Sequence, residues 1–250
     1  PISVSIGLSA VTYILLYGSV SLGVIAQQMT LGIDSFPLLA IPCFLVAGAL
    51  MERGNITHEI VEVVKVVVGR MYGGFGLTTV LACTLFAAIT GSGASTVAAV
   101  GSILIPAMIR NGYSSVFAGS VAATGGTLGI LIPPSNPMIL YAIIGNLSIT
   151  GMFTAGFLPG FLMSFGICSV VYILARRNGF RADETTPPFT WGLFFRTFGK
   201  GFFSLATIVI VLGSIYAGLA TPVEASVVAV IWALFVGGVV NRALRLTDLR

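Results

Sequence analysis

Two interruptions in a long apolar stretch constrain this chain more than any other feature. Residues 91–96 read Gly-Ser-Gly-Ala-Ser-Thr, and residues 125–137 run from two adjacent glycines to Pro133, Pro134 and Pro137. Proline lacks an amide donor and clashes with the preceding turn, so a helix breaks in the second segment. In a membrane, such irregular backbone is tolerated only where protein buries it or where it lines a solvated cavity. Both segments therefore predict broken helices around a functional site, provided that the chain lies in a membrane.

The composition supplies the membrane setting. The 250 residues are 56% hydrophobic and 8% charged, with a mean hydropathy of +1.05, whereas soluble domains are about 25% charged. We therefore predict an all-α polytopic membrane protein. The net charge of +4 comes from 12 basic residues scattered between apolar runs. This scatter is typical of the loops of a membrane protein that follow the positive-inside rule, and not of the basic stripe that binds nucleic acid. We therefore expect no nucleic-acid binding.

The apolar runs predict most of the helices. A membrane-spanning helix needs about 20 mostly apolar residues, and this rule predicts spans at residues 2–25, 36–51, 152–175, 201–217 and 223–240. Residues 56–70 place charges at steps of three to five residues, which is typical of an amphipathic helix at the membrane interface or of a cytoplasmic connector helix. Residues 176–200 are the longest polar stretch and predict a cytoplasmic loop.

The interrupted segments predict less regular elements. The apolar stretches on either side of residues 91–96 favour a re-entrant hairpin over residues 74–109, and the prolines predict a span over residues 116–145 that is broken in its middle. Further along, Thr221-Pro222-Val223-Glu224 matches a capping box, with threonine as N-cap and proline at the first helical position. We therefore interpret Glu224 as a helix cap and not as a proton carrier.

The basic residues provide a check on this topology. With a hairpin that enters and leaves on one side, every lysine and arginine falls on the same face, namely Arg53, Lys65, Arg70, Arg110, Arg176, Arg177, Arg181, Arg196, Lys200, Arg242, Arg245 and Arg250. The opposite face holds Asp34 and the uncharged residues 145–151. Two full spans in place of the hairpin would give the same distribution, so the charges support the orientation without distinguishing these alternatives.

The broken segments can bind ions without a titratable side chain. Unwound backbone exposes carbonyl oxygens, and the hydroxyls of Ser92, Ser95 and Thr96 add further oxygens, which together suit an alkali cation. Half-helix N-termini beside such a break present positive dipole ends to an anionic substrate group. The structural alternative for these small residues is close helix packing. Because two breaks occur close together, and one carries three prolines, we favour a transport site.

Catalytic and redox chemistry find no support in the sequence. The carboxylates lie at span ends or in loops, His58 is the only histidine, and Cys43, Cys83 and Cys168 lack the paired spacing of a disulfide framework or a zinc site. We expect no enzyme activity and no metal other than Na⁺. A proton-coupled carrier normally uses an intramembrane acid or histidine, and neither break contains one.

Four sequence segments resemble the large membrane (M) subunit of tripartite ATP-independent periplasmic (TRAP) transporters. They are residues 34–42 (Asp-Ser-Phe-Pro-Leu-Leu-Ala-Ile-Pro), 101–108 (Gly-Ser-Ile-Leu-Ile-Pro-Ala-Met), 129–135 (Gly-Ile-Leu-Ile-Pro-Pro-Ser) and 221–225 (Thr-Pro-Val-Glu-Ala). The resemblance implies a sodium-coupled importer of carboxylate solutes that works as an elevator in the bacterial inner membrane. It also implies a periplasmic substrate-binding protein, a small four-helix membrane (Q) subunit and membrane lipid as partners. The family has two inverted repeats, and this sequence resembles the first repeat, so the remainder of the large subunit is a further expected partner.

The resemblance also implies binding residues. Ser92 and Ser95 at the hairpin tip would supply half of one Na⁺ site, and carbonyls around Gly129, Ile132 and Pro134 in the broken helix would supply half of the other, each completed by the second repeat. The substrate pocket corresponds to Gly93, Ala94, Ser135 and Asn136. Many members have an apolar residue where this chain has Asn136. A neutral amide beside the pocket would suit a hydroxyl-rich acid, so we favour a sialic acid over a plain C4-dicarboxylate.

Together these features predict the first inverted repeat of an elevator-type, sodium-coupled secondary transporter. Residues 1–72 would supply scaffold spans and an amphipathic arm helix, residues 73–175 the transport core, residues 176–200 a cytoplasmic loop and residues 201–250 further scaffold or arm spans. The alternatives are a proton-coupled carrier and a channel or purely structural membrane subunit. A channel would favour a charged ring along its pore, and the sequence shows no such pattern.

Overall fold

The computed structural model describes residues 2–18, 21–180 and 187–244. These residues form helices joined by short turns, with no strand among them, which confirms the all-α fold class. The α-helices in chain order are α1 (Ile2–Tyr17), α2 (Leu22–Ile33), α3 (Ala40–Arg53), α4 (Ile56–Val68), α5 (Gly74–Thr90), α6 (Gly93–Arg110), α7 (Ser115–Gly126), α8 (Asn136–Ile144), α9 (Ile149–Arg177), α10 (Trp191–Lys200), α11 (Phe202–Tyr216) and α12 (Pro222–Phe235). Single 3₁₀ turns precede α3 (Phe36–Leu39) and follow α7 (Thr127–Ile130), and a π-helical turn (Val236–Val240) follows α12.

Several helices are long and apolar enough to cross a membrane. Within the described ranges these are Phe36–Arg53, Gly93–Arg110, Ile149–Arg177 and Pro222–Val240. Helices α10 and α11 make a further candidate if they are taken as one span with a bend of 68°. This set of helices confirms a polytopic membrane protein.

Helix α5 forms the centre of the fold. Its residues are almost all buried, and it packs against α3, α4, α6, α7, α9 and α11. A helix that is apolar all round is expected in such a position. Its threonines satisfy their hydroxyls within the helix, since Thr78 Oγ1 donates to Gly74 O at 2.7 Å and Thr84 Oγ1 donates to Val80 O at 2.8 Å. The hairpin that contains α5 is therefore held by protein on several sides.

The predicted single span over residues 2–25 is wrong. Helix α1 ends at Tyr17 and α2 begins at Leu22, with Gly18 and Ser21 between them. Ser21 has extended backbone (φ −70°, ψ 149°) at the N-cap of α2. Glycine has a low helix propensity, and serine favours helix ends because its hydroxyl competes for backbone hydrogen bonds. Apolar content alone missed these local breaks.

The predicted loop over residues 176–200 is also wrong at both ends. Helix α9 continues to Arg177, and α10 occupies Trp191–Lys200. Thr190 caps α10, because its Oγ1 accepts a hydrogen bond of 3.3 Å from Leu193 N. The aromatic residues of this stretch recur at helical spacing. This spacing indicates a helix, although the charged residues of the stretch suggest a loop. Arg181, like Arg245 and Arg250, lies outside the described residues.

Helix α4 is amphipathic, as predicted, but its apolar face is covered by protein. Ile56 and Ile60 are fully buried, and the neighbouring valines on this face are nearly so. The face packs largely on α5. Since lipid would have to contact this face in an interfacial helix, the arrangement favours the connector alternative for α4.

The predicted capping box at α12 is confirmed. Thr221 Oγ1 accepts from Glu224 N at 3.3 Å, and Thr221 N donates to Glu224 Oε2 at 2.7 Å. This reciprocal pair satisfies two N–H groups that have no partner within the helix. Glu224 therefore acts as a helix cap. Helix α12 packs closely along α3, which brings two of the candidate spans side by side.

Candidate functional site

The first break is a tight turn between α5 and α6. Gly91 ends α5 in the left-handed conformation (φ 60°), which glycine adopts without steric cost. Ser92 then has extended backbone and forms the N-cap of α6. The pair forms a helical hairpin over the predicted residues. Whether this hairpin is re-entrant depends on its depth in the bilayer and stays a prediction.

The second break separates α7 from α8. Helix α7 ends at Gly126, the 3₁₀ turn follows, and an irregular segment leads to the N-cap Ser135. Ser135 Oγ donates to Ile130 O at 2.7 Å and accepts from Met138 N at 3.5 Å. One buried hydroxyl thus stabilises both sides of the break. The break predicted within residues 116–145 is confirmed. That these residues cross the membrane as one span stays a prediction.

The two breaks lie in direct backbone contact. Asn136 N donates to Gly91 O at 3.1 Å. A β-carbon at Gly91 would lie 2.5 Å from Pro134 O, and one at Gly129 would lie 2.8 Å from Ser92 O. Both distances are shorter than van der Waals contact. Glycine is therefore required at both positions for the hairpin tip to reach the broken helix.

The carbonyls of Gly129 and Ile132 lack their α-helical donors. In an α-helix each carbonyl accepts from the N–H four residues further on. For Gly129 that residue is Pro133, which has no N–H. For Ile132 it is Asn136, whose N–H bonds to Gly91 O. Two of the predicted cation ligands are thus carbonyls released from the helical pattern.

The third predicted carbonyl belongs to Pro134. Its α-helical donor would be Met138 N, which instead donates to Ser135 Oγ at 3.5 Å. Pro134 is buried, and its oxygen faces Gly91 at the hairpin tip. Gly129, Ile132 and Pro134 therefore share one local cause, the disruption of helical hydrogen bonding by the proline segment.

The N-termini of α6 and α8 differ in whether their first backbone N–H groups are hydrogen-bonded. In α8 the N–H groups of Asn136 and Met138 are already bonded, and residue 137 is proline. In α6 the N–H groups of Gly93 and Ala94 have no acceptor among the described residues. Free N–H groups and the helix dipole both favour an anion. The hairpin tip is therefore the better of the two places for a carboxylate.

The hydroxyls at the hairpin tip do not all face outwards. Ser92 and Ser95 are partly exposed, and Ser92 Oγ accepts only a long bond of 3.5 Å from Ser95 N. Thr96, in contrast, is fully buried, and its Oγ1 donates to Ser92 O at 2.8 Å and lies 3.2 Å from Thr90 Oγ1. Ser92 and Ser95 remain available as ligands. The Thr96 hydroxyl stabilises the turn, and the expectation that it adds a ligand oxygen stays a prediction.

Asn136 carries an unsatisfied polar atom at the meeting point of the breaks. Its Oδ1 is buried and has no hydrogen-bond partner among the described residues. A buried polar atom without a partner costs about 1–3 kcal/mol. Such a cost at the predicted pocket fits an atom that a ligand would complete.

Sequence reasoning missed the support that α9 gives to the second break. A β-carbon at Gly156 would lie 2.8 Å from Leu131 O, and one at Gly160 would lie 2.9 Å from Ile132 Cγ1. The two glycines are four residues apart, a spacing that lets another segment approach a membrane helix closely. The spacing of these glycines in the sequence could have predicted a close contact on this side of α9. The irregular segment is thus enclosed by the hairpin tip and by α9.

Comparison with known families matches all of residues 1–250 to the family model described as "Tripartite ATP-independent periplasmic transporter, DctM component". The chain belongs to the DctM family of TRAP transporters. Membership of a transporter family agrees with the expectation that the chain is not an enzyme. Family membership and the apolar helices also place the chain in the bacterial inner membrane.

Three curated TRAP relatives show how far this likeness extends. The C4-dicarboxylate TRAP transporter large permease protein DctM of Pseudomonas aeruginosa is 40% identical over 98% of this chain and 56% of its own length. The sialic acid TRAP transporter large permease protein SiaM of Vibrio cholerae is 35% identical over 98% of this chain and 57% of its own length. The isethionate TRAP transporter permease protein DctMQ of Oleidesulfovibrio alaskensis is 36% identical over 98% of this chain and 38% of its own length. The chain spans about half the length of the TRAP relatives that it matches.

Proposed function

We propose that this chain is part of a sodium-coupled secondary transporter that imports a carboxylate solute delivered by a periplasmic substrate-binding protein. Membership of the DctM family supports transport. The observation that carries the proposal is the backbone contact between Asn136 and Gly91. It brings released carbonyls and free helix N–H groups into one small region, so that a cation and an anion can bind near each other.

The oxygen ligands fit a monovalent cation. The hydroxyls of Ser92 and Ser95 and the carbonyls of Gly129, Ile132 and Pro134 are all uncharged. Ca²⁺ sites in proteins normally include carboxylates, whereas carbonyl dipoles alone can replace the hydration shell of an alkali cation. The hydroxyls would serve one Na⁺ and the carbonyls another, and Na⁺ bound at either place would add positive charge beside the anion site. Cation binding would therefore strengthen solute binding, which is the basis of coupling.

The solute anion would bind at the N-terminus of α6. The unpaired N–H groups of Gly93 and Ala94 offer two donors to a carboxylate, and the helix dipole adds a favourable field. Ala94 is exposed and Gly93 is partly exposed, so both are accessible. Because the N–H groups at the start of α8 are already bonded, the broken helix would contact the solute through side chains, chiefly that of Asn136.

The nature of the solute depends on Asn136. The relatives are named for different organic anions, namely a C4-dicarboxylate, a sialic acid and isethionate. An amide beside the pocket suits hydroxyl groups, so we favour a hydroxyl-rich acid such as a sialic acid. Asn136→Ile should then lower the preference for a sialic acid over a C4-dicarboxylate. Unchanged uptake and unchanged preference would contradict this assignment.

The remaining assembly follows from the family. We propose a small membrane subunit, the rest of the large subunit with its second repeat, and a periplasmic binding protein as partners. Residues 73–175 would move as the transport core against scaffold formed by residues 1–72 and 201–250. The close packing of the two breaks supports this movement, because it joins the hairpin and the broken helix into one unit.

The test is solute uptake into proteoliposomes that contain the complete transporter and its binding protein under an imposed sodium gradient. Ser92→Ala/Ser95→Ala should weaken the sodium dependence, since it removes two cation ligands. Ser169→Ala is a matched control, because its hydroxyl bonds within α9 at 2.8 Å from Phe165 O. Uptake driven by a proton gradient instead would favour a proton-coupled carrier. Flux that is indifferent to sodium and does not saturate would favour a channel.

A further inference from the structure

Thr90, the last residue of α5, is buried beside the first break, and its hydroxyl departs from the pattern of this helix. Thr78 and Thr79 donate to the carbonyl four residues earlier at 2.7 and 2.8 Å. The corresponding bond from Thr90 Oγ1 to Phe86 O is 3.3 Å long, and Thr90 Oγ1 also lies 3.2 Å from Thr96 Oγ1. Thr90 therefore has a second hydrogen-bonding partner, which belongs to α6.

The direction of the bond between the two threonines follows from the number of their protons. Thr96 Oγ1 donates its only proton to Ser92 O at 2.8 Å, since a carbonyl can only accept. Thr90 is then the donor to Thr96. A hydroxyl that accepts a hydrogen bond becomes a better donor. Thr90 thus strengthens the bond from Thr96 to Ser92 O.

Thr96 fixes the peptide group that joins Ser92 to Gly93. Its backbone N donates to Ser92 O at 3.1 Å, in addition to the bond from its hydroxyl. The carbonyl of Ser92 and the N–H of Gly93 belong to one planar peptide group, so a fixed oxygen also fixes the direction of the N–H. This N–H is one of the two donors proposed for the solute carboxylate.

The methyl group of Thr90 lies against α3. A β-carbon at Gly48, which is buried, would lie 2.9 Å from Thr90 Cγ2. A β-branched side chain has few allowed rotamers. Because its methyl group is held against α3, the hydroxyl of Thr90 stays directed towards Thr96. The close approach of α3 at a glycine therefore helps to orient this hydroxyl.

We propose that Thr90 is a positioning residue for the solute carboxylate. It is 1% exposed and acts through other residues. Its hydroxyl orients Thr96, and Thr96 orients the Ser92–Gly93 peptide, which presents its N–H to the carboxylate. The inference rests on the proposed function, because it takes the N-terminus of α6 as the anion site. It adds that the last side chain of α5 controls how well this site binds.

Hydrogen exchange of the complete transporter tests the positioning directly. Thr90→Val removes the hydroxyl and keeps the methyl group that lies against Gly48. The Thr96 amide, which donates to Ser92 O, should then exchange about threefold faster, as expected for the loss of one hydrogen bond between membrane helices. Thr78→Val is the matched control, since Thr78 is also buried and its hydroxyl bonds within α5. Equal exchange in the two variants would overturn the proposal, whatever the solute.

Solute binding tests the consequence for the carboxylate. The probe is N-acetylneuraminate, with calorimetry on the complete membrane complex at saturating sodium and without the binding protein. Thr90→Val should raise its dissociation constant about threefold and leave the maximal rate of uptake nearly unchanged. Thr90→Ser keeps the hydroxyl but lacks the methyl group, so its dissociation constant should lie between those of the wild type and Thr90→Val.

The outcomes separate this inference from the proposed function. A dissociation constant no higher in Thr90→Val than in Thr78→Val would contradict a role of Thr90 in solute binding, and so would a Thr90→Ser variant as impaired as Thr90→Val. A wild-type complex that does not bind N-acetylneuraminate would instead contradict the solute assignment. The exchange rate of the Thr96 amide would then still decide whether Thr90 positions the hairpin tip.

Discussion

Asn136 N donates a hydrogen bond of 3.1 Å to Gly91 O, and this bond joins the second helix break to the first. It connects the N-terminal end of α8, which carries positive partial charge, to the C-terminal end of α5, which carries negative partial charge. The contact uses only backbone atoms. Its formation therefore depends on how closely the two chain segments approach, which the glycines of the hairpin tip decide.

Gly91→Ala should destabilise the protein and impair transport. A non-glycine residue in the left-handed conformation costs about 1–2 kcal/mol, and the new β-carbon would also lie 2.5 Å from Pro134 O. Gly112→Ala is the matched control, because Gly112 has φ 84° but no atom within 4 Å of the place that a β-carbon would take. Thermal unfolding in detergent should show a larger loss for Gly91→Ala. Equal losses would mean that the contact between the breaks contributes nothing.

Gly129→Ala should affect the site without left-handed strain. The added carbon would lie 2.8 Å from Ser92 O and 2.9 Å from Gly93 N, and backbone atoms cannot move aside as a flexible side chain can. We expect reduced uptake and a higher sodium requirement. Gly119→Ala is the control, since no atom lies within 4 Å of its β-carbon position. Normal sodium dependence of Gly129→Ala would argue against a cation site at this contact.

The hydroxyls of Thr84 and Ser164 join α5 to α9 across 2.8 Å, and both residues are buried. Hydrogen bonds between membrane helices contribute about 0.6 kcal/mol on average. A double-mutant cycle with Thr84→Val and Ser164→Ala should show a coupling energy of this order. The measurement is unfolding by denaturant in mixed micelles. Strictly additive effects would show that the bond adds no stability.

Glu224→Gln should leave transport and its sodium dependence intact. Glu224 Oε2 accepts from Thr221 N at 2.7 Å and from Thr221 Oγ1 at 2.8 Å, and the amide oxygen of glutamine can accept the same bonds. Thr221→Ala should instead lower stability by about 1 kcal/mol through loss of the cap. Uptake and its pH dependence in proteoliposomes check the first expectation. Loss of uptake in Glu224→Gln would restore Glu224 as a candidate proton carrier.

Local chemistry made several elements predictable. The prolines placed the break between α7 and α8, the threonine and glutamate at residues 221 and 224 placed the start of α12, and the small residues at 91–96 placed the hairpin turn. In each case the backbone conformation follows from the residue itself or from a neighbour within four positions. A local signal of the same kind marks the break at Gly18 and the helix over Trp191–Lys200, although apolar content predicts one continuous span at the first place and charge predicts a loop at the second.

Composition and local residue patterns were enough to predict a helical chain, a membrane setting and the positions of two helix breaks. The packing of the helices was needed to learn that Asn136 meets Gly91, that the Gly93 and Ala94 N–H groups have no acceptor within the described part of the chain, and that protein covers the apolar face of α4. These outcomes depend on contacts between residues far apart in the chain. Lipid and protein are both apolar, so hydropathy cannot tell which of them a helix face will contact, and packing between helices settles it.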